Sequence, residues 1–207
     1  MTTTRSIVES ALKRIRIIGI GTGEDAPGEY ANHALGALND MMHGWAGKGV
    51  DVKHADLALA DTFWFAVPPK GIDAETIEAM AYQGTWNAST NSPTLTSGSG
   101  TQGYYYRVSP AGSPTLDDVT SWAADQIAIY NGSEWLKGPS SRKHESGVID
   151  MLASELGEDF GVELTRSVVQ GAADGWYAIL SDYIVPKANN FDTGLVRMTT
   201  RRYEDVS

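Results

Sequence analysis

The sequence predicts an α+β fold, in which an α-helical bundle of about four helices is interrupted by a small antiparallel β domain and followed by an extended C-terminal arm. Three observations support this prediction. Before and after the middle of the chain, Ala, Leu and Met recur at helical spacing. Residues 82–139 are instead rich in Gly, Ser, Thr and Asn and carry clustered aromatic rings. Residues 186–207 keep no regular apolar period.

These shifts in composition set the expected domain boundaries. The helical domain is expected at residues 1–69 and 141–185, the inserted β domain at 70–140 and the arm at 186–207. A helical core that tolerates an insertion must bury helices from both halves of the chain. We therefore expect the two halves to pack together while the insert projects from a solvent-facing loop.

Composition excludes several classes of protein. The chain has 207 residues, of which 42% are hydrophobic, so it is long enough for one moderate core or two small ones. The absence of cysteine excludes disulfides and thiolate metal sites. A net charge of -10 makes broad nucleic-acid binding unfavourable, because phosphate contacts require clustered Lys and Arg. With no apolar run near about 20 residues and no signal-peptide pattern at the start, synthesis in the cytoplasm and no membrane association are expected.

Two helices are predicted in the first half of the chain. Ser6 is expected to cap the first helix, which should stop near Gly19. The second should end at Gly47 or Gly49, where glycine readily adopts a left-handed cap. The apolar positions of the two helices are Ile7, Ala11, Leu12 and Ile15, and then Tyr30, Ala34, Leu38, Met41 and Trp45.

The next segment alternates apolar and other residues, which favours a strand or hairpin ended by Pro68 and Pro69. The alternating positions are Leu57, Leu59, Phe63, Phe65 and Val67. Residues 73–80 are compatible with a short helix and with an extended lead-in to the insert.

The insert is expected to be a small antiparallel sheet. Asn131-Gly132 is a signal for a two-residue hairpin turn, in which both central residues need positive φ. The candidate core or surface aromatic residues of the insert are Trp86, Tyr105, Trp122 and Trp135. These aromatics either supply the core of so small a module or form a surface platform that stacks on sugar rings.

Two helices are predicted in the second half. The first carries Val148, Met151, Leu152 and Leu156 and ends around Phe160-Gly161. Thr165 is expected to cap the other helix. Its wide apolar face comprises Val168, Val169, Ala172, Trp176, Ile179, Leu180 and Tyr183.

Candidate catalytic patterns are weak. The glycine run at residues 15–23 lacks the third glycine of a dinucleotide fingerprint, since position 24 is Glu24. No histidine pairs with another at metal-ligand spacing. Glu155, Glu158, Asp159 and Glu163 surround a helix end, but nothing in the sequence fixes two carboxylates across a cleft. We expect no catalytic, metal or cofactor site.

The order of the helical segments resembles the tail accessory factors of short-tailed bacteriophages, which are head-to-tail connectors. The resemblance lies in residues 6–12, 34–42 with Trp45, and 151–162 followed by Trp176. The insert, with residues 84–88 and Tyr130-Asn131-Gly132 ahead of Trp135, is similar to a small β module of phage tail-associated proteins.

The resemblance implies a structural virion protein of the neck. About twelve copies would form a ring beneath the portal protein, extend the DNA channel without binding DNA specifically, and carry the tail nozzle or tail fibres. The arm would bind the portal, through Phe191, Leu195, Val196, Arg197, Met198, Arg201, Arg202 and Tyr203.

Two alternatives remain open from the sequence. One is a virion-associated peptidoglycan hydrolase that uses the carboxylates at residues 155–159. The other is a carbohydrate-binding module that acts through Trp86, Trp122 or Trp135.

Overall fold

The computed structural model describes residues 2–19, 26–48, 50, 53 and 55–183. Over these residues the protein is a mixed α+β fold of five α-helices and one four-stranded sheet. The helices are α1 (Thr4–Arg14), α2 (Gly28–Gly47), α3 (Ala74–Glu78), α4 (Glu145–Asp159) and α5 (Arg166–Tyr183). The strands are β1 (Ala81–Trp86), β2 (Tyr104–Val108), β3 (Ile127–Tyr130) and β4 (Trp135–Gly138). A short 3₁₀ turn, Ser141–His144, leads into α4.

One hydrophobic cluster combines helices from both halves of the chain. Helices α1, α2, α4 and α5 contribute fully buried side chains to it, among them Ile7, Leu38, Leu152 and Ile179. Polar contacts reinforce the same packing, since the Thr2 hydroxyl donates to the Glu145 carboxylate over 2.9 Å. Residues far apart in sequence therefore close one core, which we call the helical core.

Helices α4 and α5 form a tight antiparallel pair because glycines lie where they cross. A Cβ added to Gly147 would collide with the backbone of Gly175, and one added to Gly175 would collide with Gly147. Side chains larger than hydrogen at these positions would force the two helices apart.

Residues 57–67 do not form the strand or hairpin predicted from their alternation. The only pairings described there are isolated bridges, Thr3 with Thr62 and Lys53 with Ala66. Phe63, Phe65 and Val67 are buried in the helical core, and the Phe65 ring packs edge-on against Trp45 at 5.6 Å. The prediction was wrong because the alternation reflects burial against helices, which an extended segment achieves without a strand partner.

The sheet has the order β1-β2-β3-β4 and is mixed rather than purely antiparallel. Strands β2, β3 and β4 pair antiparallel as expected, but β1 pairs parallel to β2. A parallel pair needs a connection long enough to return the chain to the same end, and residues 87–103 provide it. Asn91 holds the first part of this connection, since its Oδ1 accepts hydrogen bonds from Leu95 N and from Trp86 Nε1.

The hairpin predicted at Asn131-Gly132 is present, but its turn differs. Its last strand pair is Tyr130 with Trp135, so four residues form the loop. Only Gly132 has positive φ, at 98°. Asn131 instead uses its side chain, whose Oδ1 accepts from the amides of Ser133 and Glu134 over 2.9 and 2.8 Å. The chain therefore forms an Asx-type turn here instead of the predicted two-residue turn.

The ends of the first two helices differ from the prediction. Thr3, not Ser6, caps α1, and its Oγ1 accepts from Ser6 N over 3.2 Å. Helix α1 ends at Arg14 rather than near Gly19. Helix α2 ends at Gly47 as predicted, but without a left-handed cap there, and Gly49 lies outside the described residues.

The later helices follow the prediction more closely. The short-helix alternative for residues 73–80 is confirmed, because Asp73 caps α3 by accepting from Thr76 N over 2.7 Å. Helix α4 ends at Asp159, and Gly161 has a φ of 61°. Helix α5 begins directly after Thr165.

Candidate interaction surface

Helix α5 carries apolar residues on two sides. Its inner side buries Val168, Gly175 and Ile179 in the helical core. Val169, which the sequence placed on the buried face, is 51% exposed, and Tyr177 is 68% exposed. Val169, Ala173 and Tyr177 are four residues apart and therefore lie on one side of the helix. We call these three exposed residues the outer stripe of α5. Large apolar side chains aligned on a helix surface are typical of contact with another surface.

A groove of about 260 Å³ adjoins this stripe between α2, α4 and α5. Its floor is apolar, and includes Met41, Met151 and Trp176. Its rim carries Glu155 and Glu158 from α4 and Lys48 from the end of α2. The Lys48 ammonium lies 5.7 Å from the centre of the Trp176 ring, a cation–π contact. We call this feature the α5 groove.

The carboxylates weighed as an acid and base pair do not face one another across a cleft. Glu155 and Glu158 rise from one turn of α4, so both stand on the same wall of the α5 groove. Asp159 pairs instead with His33, whose Nε2 is 3.0 Å from its Oδ2. Glycoside hydrolysis needs two carboxyl groups that flank the scissile bond from different sides. The described arrangement does not provide that geometry.

Each histidine that the structure describes lies within ion-pair distance of a carboxylate. No group of three metal-ligating side chains occurs among the residues that the structure describes. His144 is buried, stacks on the Phe65 ring with the ring centres 6.2 Å apart and the planes inclined at 30°, and places Nε2 2.8 Å from the Asp182 carboxylate. Burial lowers the pKa of His144, and the Asp182 charge opposes this shift. The pair ties the 3₁₀ turn to the last turn of α5.

The tryptophans of the sheet region are buried. Trp86 and Trp122 pack edge to face with their ring centres 5.1 Å apart, and both belong to a cluster with Trp135. Trp135 Nε1 donates to the carbonyls of Thr96 and Ser99 over 3.0 and 3.1 Å. Their ring faces are occupied within the fold, which leaves no platform on these residues for stacking against a sugar.

A buried ionic junction connects the sheet to the helical core. The Asp125 carboxylate, 1% exposed, accepts from Arg107 Nε over 2.8 Å and also pairs with Arg142 of the 3₁₀ turn. The Arg107 guanidinium lies 5.5 Å from the centre of the Trp64 ring. We call this group the Asp125 junction. Sequence analysis missed it, because its members are separate in sequence and form no motif.

The fourth aromatic candidate, Tyr105, lies on the side of the sheet that packs against the segment around Trp64 and Ala66. It clusters with Ala66, Ile127 and Ile129, and burial raises the pKa of its hydroxyl to about 12. The Tyr82 ring, whose centre lies 5.5 Å from that of Tyr105, stands on the edge strand β1 and is 47% exposed. This side of the sheet therefore buries Tyr105 and leaves Tyr82 half exposed at its margin.

The residues proposed for portal binding lie outside the described part of the chain. They are Phe191, Leu195, Val196, Arg197, Met198, Arg201, Arg202 and Tyr203. Among the helices that the structure does describe, none has the length and apolarity needed to cross a membrane. Comparison with protein-family models and with curated proteins found no match.

Proposed function

We propose that this chain is a structural virion protein, a head-to-tail adaptor that binds the portal and connects it to the tail. The observation that supports this most is the outer stripe of α5, a surface suited to a protein partner at the margin of a helical core. On this reading the helical core is the adaptor domain, and the sheet is a module inserted into it. The resemblance of residues 6–12, 34–42 and 151–162 to tail accessory factors points the same way.

The adaptor would act as a ring of about twelve copies. In a ring each copy presents two different surfaces to its two neighbours. The described residues include separate exposed apolar patches: Val169 with Tyr177 on α5, and Tyr82 and Tyr104 on opposite faces of the sheet. Patches that differ from one another fit a heterologous contact better than a two-fold one.

The arm at residues 186–207 would attach the ring to the portal. It combines apolar side chains with Arg197, Arg201 and Arg202, which form charge-assisted hydrogen bonds with partner carboxylates. The net charge of -10 suits a channel through which DNA passes without being held. The sheet module would remain available to the tail nozzle or tail fibres.

Mass measurement of the purified chain, alone and with purified portal protein, tests the proposal. We expect a complex that contains many copies of the chain for each portal ring. A chain shortened to residues 1–185 should keep its helical circular dichroism and lose portal affinity by about tenfold or more, because the arm's contacts are gone. An Ala substitution at Ser133, in the hairpin loop of the sheet, is the matched control. Absence of any portal complex for the full chain would refute the proposed function.

A further inference from the structure

We propose that the α5 groove binds a small zwitterionic amphiphile, of the class of a free α-amino acid with an aromatic side chain. Glu155 and Glu158 bind the ammonium group of this ligand, Lys48 binds its carboxylate, and the groove floor accepts its ring. The site goes beyond the adaptor function and does not depend on it, because every residue that lines the groove belongs to a single copy of the chain.

The α5 groove presents charges of both signs that are not paired with one another. Glu155 and Glu158 on α4 and Lys48 at the end of α2 are exposed and line the same cavity. Among the residues that the structure describes, none of the three has an ion-pair partner. The Lys48 ammonium therefore lies more than 4.0 Å from both carboxylates. Opposite charges that line one cavity without contacting each other complement a molecule that carries both.

The balance of these charges selects the ligand class. The Lys48 ammonium lies 5.7 Å from the centre of the Trp176 ring, and this cation–π contact keeps it beside α5 while Glu155 and Glu158 rise from α4. A ligand with only a positive charge leaves Lys48 without a counter-charge, and a ligand with only a negative charge meets two carboxylates. A zwitterion provides a counter-charge to both walls of the groove.

The floor of the groove selects the apolar part of the ligand. Met41, Met151 and Trp176 line it, and the buried Trp45 packs against Trp176 with the ring centres 6.0 Å apart. Methionine sulfur makes favourable contacts with aromatic rings, so this lining favours a ring as the apolar group. The volume of about 260 Å³ is below the range of about 300–1,000 Å³ that is typical of sites for drug-sized ligands, so the ligand is smaller than those.

Titration of the full chain with L-phenylalanine tests the site, with the methionine methyl resonances as the readout. The methyl groups of Met41 and Met151 should shift and saturate, with a Kd of about 1 mM or lower. Met42, which is buried in the helical core, and Met80, which packs in the sheet region, do not line the groove and should not shift. No saturable shift of Met41 and Met151, or equal shifts of all four methyl groups, would overturn the proposal.

Analogues that lack one group test the ligand class. Phenethylamine has no carboxylate for Lys48 and should bind about threefold more weakly than phenylalanine. The compound 3-phenylpropionate has no ammonium group for Glu155 and Glu158 and should bind about tenfold more weakly. Glycine keeps both charges without a ring and should bind about tenfold more weakly too, because it leaves the apolar floor uncovered. Any of the three binding as tightly as phenylalanine would overturn the assigned class.

Lys48→Met tests the carboxylate end of the site, because it removes the ammonium group and keeps an apolar stem of similar length. Phenylalanine and phenethylamine should then bind equally well. Lys70→Met, at an exposed lysine outside the α5 groove, is the matched control and should retain the threefold preference. A preference that persists in Lys48→Met, or disappears equally in both variants, would overturn the role of Lys48.

Glu155→Gln with Glu158→Gln tests the ammonium end of the site. Phenylalanine should bind this double variant about tenfold more weakly, whereas 3-phenylpropionate should bind no more weakly than before. Glu75→Gln with Glu78→Gln makes the same change of net charge on α3, another exposed helix, and should leave both affinities unchanged. Equal weakening by the two double variants would show that only overall charge matters, and would overturn the proposal. None of these titrations contains a portal, so their failure is distinct from a failure of the adaptor function.

Discussion

The helical core and the sheet region of this protein are stabilised in different ways. The helical core is mostly aliphatic, is built from distant parts of the chain, and depends on close helix contacts such as that of Gly147 with Gly175. The sheet region has a core of a few large rings and holds its long loops with side-chain hydrogen bonds, as at Asn91 and Asn131. We therefore expect single substitutions to disrupt one region while leaving the other folded.

The largest effect is expected from Trp86→Ala in the sheet region. Trp86 is fully buried, and its removal leaves a cavity, takes away the ring that packs on Trp122 and removes one of the hydrogen bonds of the Asn91 carboxamide. The loss should be about 3–5 kcal/mol of unfolding free energy for this region. Near-ultraviolet circular dichroism should lose the part of its aromatic signal that comes from the sheet region, while the rings of the helical core keep theirs and the far-ultraviolet helical signal persists. Loss of the helical signal under the same conditions would mean that the two regions do not fold separately.

Asp125→Asn tests the connection between the regions. Asn tolerates the left-handed backbone of this position, where φ is 65°, but leaves the charges of Arg107 and Arg142 without their counter-ion. Breaking a buried ion pair costs about 3 kcal/mol or more. Calorimetry should resolve two thermal transitions in place of one. Asp118→Asn, at an exposed turn position, is the control, and an unaltered single transition for Asp125→Asn would contradict the role of the junction.

Gly175→Ala should weaken the helical core by about 1–3 kcal/mol, because the added methyl group meets the backbone of Gly147. Gly36→Ala is the matched control. Gly36 lies on the exposed side of α2 with open space around it, so alanine there should stabilise by about 0.5–1 kcal/mol. Chemical denaturation of the two variants measures the difference, and equal changes would argue against a close α4–α5 contact.

The smallest expected effect is a dependence of folding stability on pH. Burial lowers the pKa of His144 in the folded chain below the ordinary value of 6.5, so the unfolded chain binds more protons as the pH falls below that value. Stability should therefore be level above about pH 7 and decline below about pH 6.5. Denaturation between pH 5 and pH 8 should show this slope in wild type and in His33→Gln, and a smaller one in His144→Gln. An equal slope in His144→Gln would contradict the assignment.

The sequence predicted most of the helices, but few of the contacts between segments that are distant in the chain. Helices α2, α4 and α5 have long apolar periods and recognisable ends, so their existence followed from local pattern. The parallel pairing of β1 with β2 did not follow, because register and direction depend on contacts between distant segments. The outer stripe of α5 was also missed, since exposed and buried apolar residues look alike in sequence. Nothing in the spacing of Arg107, Asp125 and Arg142 signalled their meeting.

We expect the two halves of the chain to unfold as one cooperative helical core. Native-state hydrogen exchange in increasing denaturant tests it most directly, on buried amides of α1 and α4 such as those of Leu12 and Leu152. We predict one common opening free energy and one common denaturant dependence for these amides, both unchanged in Trp86→Ala. Separate opening of α1 and α4, with different denaturant dependences, would contradict the claim.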